Sequence, residues 1–140
     1  MIAYLSENIE LPSIDQHKVS RWIVLVAASH GRKAGALNYI FCNDERILEV
    51  NRQYLQHDYY TDIITFDYSK GKVISGDIFI SIDTVKSNAE GLDVSFENEL
   101  HRVIIHGILH LCGQDDKTPE AQKEMTHREN EALHILAKLS

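Results

Sequence analysis

The stretch Phe96-Glu97-Asn98-Glu99-Leu100-His101-Arg102-Val103-Ile104-Ile105-His106-Gly107-Ile108-Leu109-His110-Leu111-Cys112-Gly113-Gln114-Asp115-Asp116 organises the chain. Residues 96–112 read as a helix that is apolar nearly all round, through Leu100, Val103, Ile104, Ile105, Ile108, Leu109 and Leu111. Gly113 stops it, because glycine accepts the left-handed conformation that turns a chain back.

Working outward, Thr118-Pro119 starts a last helix, since proline is tolerated at the first helical position. Upstream, Asp62-Ile63-Ile64-Thr65-Phe66 and Asp77-Ile78-Phe79-Ile80-Ser81 read as strands joined by a glycine- and lysine-bearing connector. Asp83 is expected to cap a short helix ending near Gly91. Residues 2–6 and 36–42 also read as strands. Ser13 or Asp15 can cap a first helix that stops at Gly31, and Asn43 opens a second through about Gln56. Strands with interleaved helices, then helices at the end, predict an α+β fold. The expectation is one domain over residues 1–140, a small mixed sheet packed with helices.

Composition narrows the classes. With 44% hydrophobic and 25% charged residues in 140, the chain can bury a core and is not of the disordered kind. It has no apolar run long enough to span a membrane and no basic, apolar leader at Met1, so a cytoplasmic protein is expected. Cys42 and Cys112 read as two lone thiols serving as small buried apolar residues. A net charge of −7 weighs against nucleic-acid binding unless one local face is basic.

The chemistry sits at the end of the apolar helix. At roughly 100° per residue, His106 and His110 lie about 40° apart on one face and can present two imidazoles to one ion. The turn at Gly113 lets Asp116 return as a third ligand, with Asp115 as its closest rival. Two nitrogens and a carboxylate leave a fourth position for water, the open arrangement of catalytic zinc. Bound Zn²⁺ brings that water's pKa to about 7. The alternative is two histidines that line the core, yet unpaired buried imidazoles cost about 1–3 kcal/mol. Cys112 and His101 point elsewhere on the helix. Glu99 and Arg102 share the His106 face. An i, i+3 ion pair is the simpler reading, and a phosphate contact for Arg102 the other.

His-x-x-x-His-x-x-Gly-x-x-Asp has the ligand spacing of metzincin-type proteases. Those carry a glutamate general base directly after the first histidine. Here that place is Gly107, which disfavours peptide hydrolysis. The zinc-deaminase signature is also absent.

Instead, His106-Gly-Ile-Leu-His110-Leu-Cys-Gly-Gln-Asp-Asp116 resembles the H-G-x-L-H-L-x-G-x-D-H signature of the YbeY family of rRNA-maturation endoribonucleases. Asn51-Arg52-Gln53-Tyr54, Asp58, Thr61-Asp62-Ile63-Ile64-Thr65-Phe66, Gly76-Asp77-Ile78 and Glu124-Met125 follow that family's order. The resemblance implies a zinc-dependent, single-strand endoribonuclease. Its work would be 16S rRNA 3′-end maturation and ribosome quality control, in company with rRNA, the small ribosomal subunit and its proteins. His106 and His110 carry over as ligands. The family's third histidine is Asp116 here, and its arginine after the tyrosine is Leu55. Arg52, one turn earlier, could substitute, though a solvated surface arginine is the simpler account. A family lysine position is His57. The competing readings are a non-catalytic assembly factor with a structural metal and a metallohydrolase of another class.

Overall fold

The computed structural model describes residues 1–56 and 61–139. Alternation along β2 (Lys33–Cys42) sets the layers. Leu37, Tyr39 and Phe41 enter the main core, while Cys42 enters a smaller cluster on the other face, as a two-residue period demands. β1 (Ile2–Ser6) lies parallel to β2, and β2 lies parallel to β4 (Val73–Ser81). β3 (Ile63–Asp67) runs antiparallel to β4 through a hairpin and forms one edge of the order β1-β2-β4-β3. The sheet is therefore small and mixed, and the class is α+β, as expected.

One face carries α1 (Gln16–Ser29), α4 (Phe96–Leu111) and α5 (Pro119–Lys138), with α3 (Ile82–Leu92) packed beside α4. The other carries α2 (Asp44–Leu55), whose Ile47 and Val50 close over Cys42 and Ile64. The predicted apolar helix, α4, is the central element: Ile104, Ile105, Ile108 and Leu109 have no exposed surface. Each such side chain contributes roughly 1.5–3 kcal/mol through burial. Two buried donors pin neighbours to this layer. The Tyr39 hydroxyl donates to the Ile104 carbonyl at 2.8 Å, and Trp22 Nε1 donates to the Ala132 carbonyl at 2.7 Å.

Two glycines set how closely α4 meets the sheet. A Cβ at Gly107 would stand 3.2 Å from Ile63 Cδ1 and 3.3 Å from Ile78 Cγ2. A Cβ at Gly76 would stand 2.3 Å from the Phe66 carbonyl oxygen. Gly76 therefore lets β3 and β4 approach more closely than any side chain allows, and Gly107 seats α4 a few tenths of an ångström closer to the sheet than a methyl would.

Caps follow the sequence at Asp15, Asn43 and Thr118, and Ser95, not singled out from sequence, does the same for α4. Asp15, Asn43, Ser95 and Thr118 each accept a backbone amide from the first turn of their helix. Asp83 differs from expectation. Ser81 caps α3, and Asp83 sits inside its first turn, where its Oδ2 accepts the Asp44 amide at 3.0 Å. Asp83 thus serves the start of α2, across the sheet. β4 also begins at Val73, four residues before its apolar run, because the lysine-bearing connector is a tight hairpin rather than a loop. Among the described residues, no helix is long and apolar enough to cross a membrane.

Candidate active site

α4 presents His106 and His110 one turn apart, beside the start of the edge strand β3. Cys112 ends the helix, and Gly113 adopts φ +99°. That positive φ reverses the chain and returns Asp116 to the same side. The three residues line one open cleft of about 500 Å³, together with Thr61, Asp62, Ile63 and Thr65. Asp115 is not among the lining residues. It is exposed and accepts the Lys117 amide at 3.2 Å.

Glu129 of α5 fixes the deep wall. Its side chain is 7% exposed, and its Oε2 lies 2.7 Å from His106 Nδ1. Glu129 accepts from Arg102 through Oε1 and has Oε2 left for a second donor, so in the neutral ring the proton sits on Nδ1, and Nε2, on the Asp116 side, keeps its lone pair. Glu129 Oε1 accepts from Arg102 Nη1 at 2.9 Å, and Arg102 Nε lies 3.5 Å from Glu99. The Glu99–Arg102 pair thus forms, and Arg102 spends its charge within the protein. Glu99 Oε1 is buried without a hydrogen bond, and burial raises the carboxyl's pKa against the pull of Arg102.

The charges around His106 compete. Burial disfavours its charged form, but the Glu129 hydrogen bond and charge, then Asp116 and Asp62, carry its pKa upward. Asp62 is raised chiefly by burial, with His106 drawing it back. On the outer wall, Asp116 Oδ2 stands 3.5 Å from His106 Nε2, and His110 is exposed. Among the described residues, no group of three or more His, Cys, Asp or Glu side chains is gathered closely enough to hold a metal ion.

The other sequence candidates lie elsewhere. His101 makes an edge contact with Trp22, ring centres 5.8 Å apart. Cys42 is buried, with its thiol pKa pushed up to about 12, mainly by burial; Cys112 is half-buried, and both thiols are free. Leu55 and Arg52 are exposed on α2, and Tyr54 beside them packs edge-on to Phe66. Asp58 and His57 lie outside the described residues. Of the family-like segment 61–66, Thr61, Asp62, Ile63 and Thr65 supply cleft residues. Glu129 was not singled out from sequence, whereas Asp62 stands in the segment 61–66 that resembles the family's motif. For Glu129 a signal existed: with Met125, Ala132 and Leu136 it forms the buried stripe of α5, an unusual place for a carboxylate.

An imidazole oriented by a buried carboxylate, beside a second imidazole and a free carboxylate in an open cleft, belongs to the class of metal-dependent hydrolases. Comparison with known proteins specifies the kind. A model of the family Endoribonuclease YbeY matches residues 2–137. The chain is 62% identical over 135 residues to the Endoribonuclease YbeY of Parabacteroides distasonis, covering 96% of this chain and 95% of that one. It is 57% identical over 132 residues to that of Bacteroides thetaiotaomicron, covering 94% and 96%. The solution structure of TM1509 from Thermotoga maritima superposes with a TM-score of 0.67 at 26% identity, over 97% of this chain and 89% of that one. The chain belongs to the endoribonuclease YbeY family.

Proposed function

We propose that the chain cleaves single-stranded RNA at a single Zn²⁺ held by His106, His110 and Asp116. As a member of its family, the chain is a metal-dependent endoribonuclease of rRNA processing. The residue assignment is supported by the distance of 3.5 Å between His106 Nε2 and Asp116 Oδ2. Two donors on one tetrahedral zinc, each about 2.0–2.1 Å from the ion, stand roughly 3.4 Å apart. A nitrogen and an oxygen thus stand at a spacing that fits two ligands of one ion, and His110 lines the same cleft. When bound, the ion supplies Lewis acidity toward the phosphodiester and a nucleophile at neutral pH.

The protein's own part is positional. Glu129 locks the His106 ring and keeps its proton on Nδ1. Asp116, a carboxylate at the place of the signature's third histidine, adds negative charge and would make water on the ion less acidic. Thr61, Asp62 and Thr65 line the β3 side of the same cleft, where the substrate's polar groups would lie. The span 1–140 acts as one such domain in the cytoplasm, on rRNA presented by the small ribosomal subunit and its proteins.

Elemental analysis of protein purified without added metal tests the assignment. Wild type is expected to carry one zinc per chain, and His110→Ala and Asp116→Ala little or none. Both variants are expected to lose cleavage of single-stranded RNA. Full cleavage by a metal-free variant removes the mechanism. Zinc-loaded wild type that binds small-subunit particles but cuts no RNA favours a structural metal.

A further inference from the structure

The chain carries a net charge of −7, so any phosphate-binding surface must be local. One corner of the fold meets that need. The turn after α1 supplies Arg32 and Lys33, and the β3–β4 hairpin supplies Lys70 and Lys72. The sheet joins the two segments: the Lys33 amide donates to the Lys72 carbonyl at 2.8 Å, and Lys33 is in register with Val73. Lys70 and Val73 exchange backbone hydrogen bonds at 3.0 Å across the hairpin tip.

Residues 31–43 and 68–76 contain no Asp or Glu. The nearest carboxylates in sequence, Asp67 and Asp77, accept from the Ser69 amide and from Asn38 and Tyr68. Lys33, Lys70 and Lys72 are exposed, and no ion pair joins them to a carboxylate among the described residues. Tyr68, on the same hairpin, exposes 58% of its surface.

The corner is tied to the cleft from two sides. Arg32 Nη2 donates to the Cys112 carbonyl at 3.3 Å, at the end of the helix that carries both imidazoles. Along β3, Tyr68 is three residues beyond the cleft residue Thr65, roughly 10 Å at the rise of a strand. Cations that track a backbone, beside an aromatic ring that stacks a base, are the parts of a single-strand binding surface.

We propose that Lys33, Lys70 and Lys72 bind the phosphates of single-stranded RNA on one side of the scissile bond, with Tyr68 stacking a base. This rests on the nuclease reading above and adds where the strand enters the cleft. The probe is a short, nuclease-resistant 2′-O-methyl phosphorothioate oligouridylate, titrated with the full chain by fluorescence anisotropy from about 50 to 200 mM salt. Each single-strand phosphate contact contributes about −0.7 to the slope of log affinity against log salt. The Lys70→Ala/Lys72→Ala variant is expected to shallow that slope by about 1.4 and weaken binding about tenfold at the low-salt end. Lys86→Ala/Lys123→Ala changes net charge equally on other helices and is expected to leave the slope unchanged. Tyr68→Ala is expected to weaken binding about tenfold at constant slope.

An unchanged slope in Lys70→Ala/Lys72→Ala, an equal effect in the control pair, or no binding by wild type overturns the proposal. Cleavage by wild type with any of these results leaves the nuclease reading standing. A corner-dependent slope without cleavage does the reverse.

Discussion

The two walls of the cleft are built differently. His106 is held from behind: Glu129 grips its Nδ1 at 2.7 Å, and Arg102 grips Glu129 at 2.9 Å. Opposite, Asp116 has a side chain 45% exposed at the end of a glycine turn, and His110 is exposed. The first wall is preorganised by burial and charge. The second can move onto an ion at little cost, because loop carboxylates and exposed rings give up few contacts. On the proposed zinc assignment, one imidazole is oriented before any ion arrives while the other two groups can adjust.

The largest expected effect comes from removing the support of the rigid wall. Glu129→Ala leaves a half-buried arginine and the Nδ1–H of His106 without their carboxylate. A loss of about 2 kcal/mol in stability is expected by denaturant titration. Loss of a carboxylate behind a ligand histidine also weakens metal binding about 10–100-fold. His110→Ala is the counterpart. It is expected to lose the metal with stability changed by less than about 0.5 kcal/mol, since the site is exposed. If both variants destabilise equally, the contrast between the walls is wrong.

Gly107→Ala tests how the rigid wall is seated. The added methyl meets Ile63 Cδ1, a flexible tip, at 3.2 Å and Ile78 Cγ2, a branch methyl next to the backbone, at 3.3 Å, so both must give a little. A cost of about 1 kcal/mol in thermal unfolding is expected, with α4 lifted slightly from β3. Because β3 forms the floor beside His106, cleavage is expected to fall more than metal content does. A variant as stable and as active as wild type would show that the close approach is incidental.

What the sequence made legible was local. Asp15, Asn43 and Thr118 cap their helices because a cap needs only its own first turn. Gly113 announces its turn for the same kind of reason. His106, His110 and Asp116 share a cleft because helix periodicity and one glycine carry them there. Strand order was not legible, since pairing β2 with β4 skips β3 and depends on contacts far apart in the chain. Asp83 looked like a cap for α3, but Ser81 is placed to do that, and the Asp44 amide needed an acceptor. Gly107 read as a missing base, yet its physical role is the distance between α4 and two isoleucines. Glu129 lies on an apolar stripe whose purpose appears only when α4 is set beside it.

The smallest effect concerns His101, the histidine of α4 that takes no part in the cleft. It packs edge-on to Trp22, and its pKa is lowered first by burial; Glu97 pulls it up and Lys18 of α1 pushes it down. The surface around it includes Leu133, Leu136 and Ala137 from α5, which bring no charge. The folded protein thus binds this proton less readily than the unfolded chain does. Stability from this residue is complete above the unfolded value of about 6.5 and is lost as pH falls toward and through the lower folded value. His101→Phe keeps a ring against Trp22 and cannot titrate. Wild type is expected to lose more thermal stability than His101→Phe between pH 7.5 and pH 5, a range set about the unfolded value. Equal losses would show that His101 carries none of the acid sensitivity.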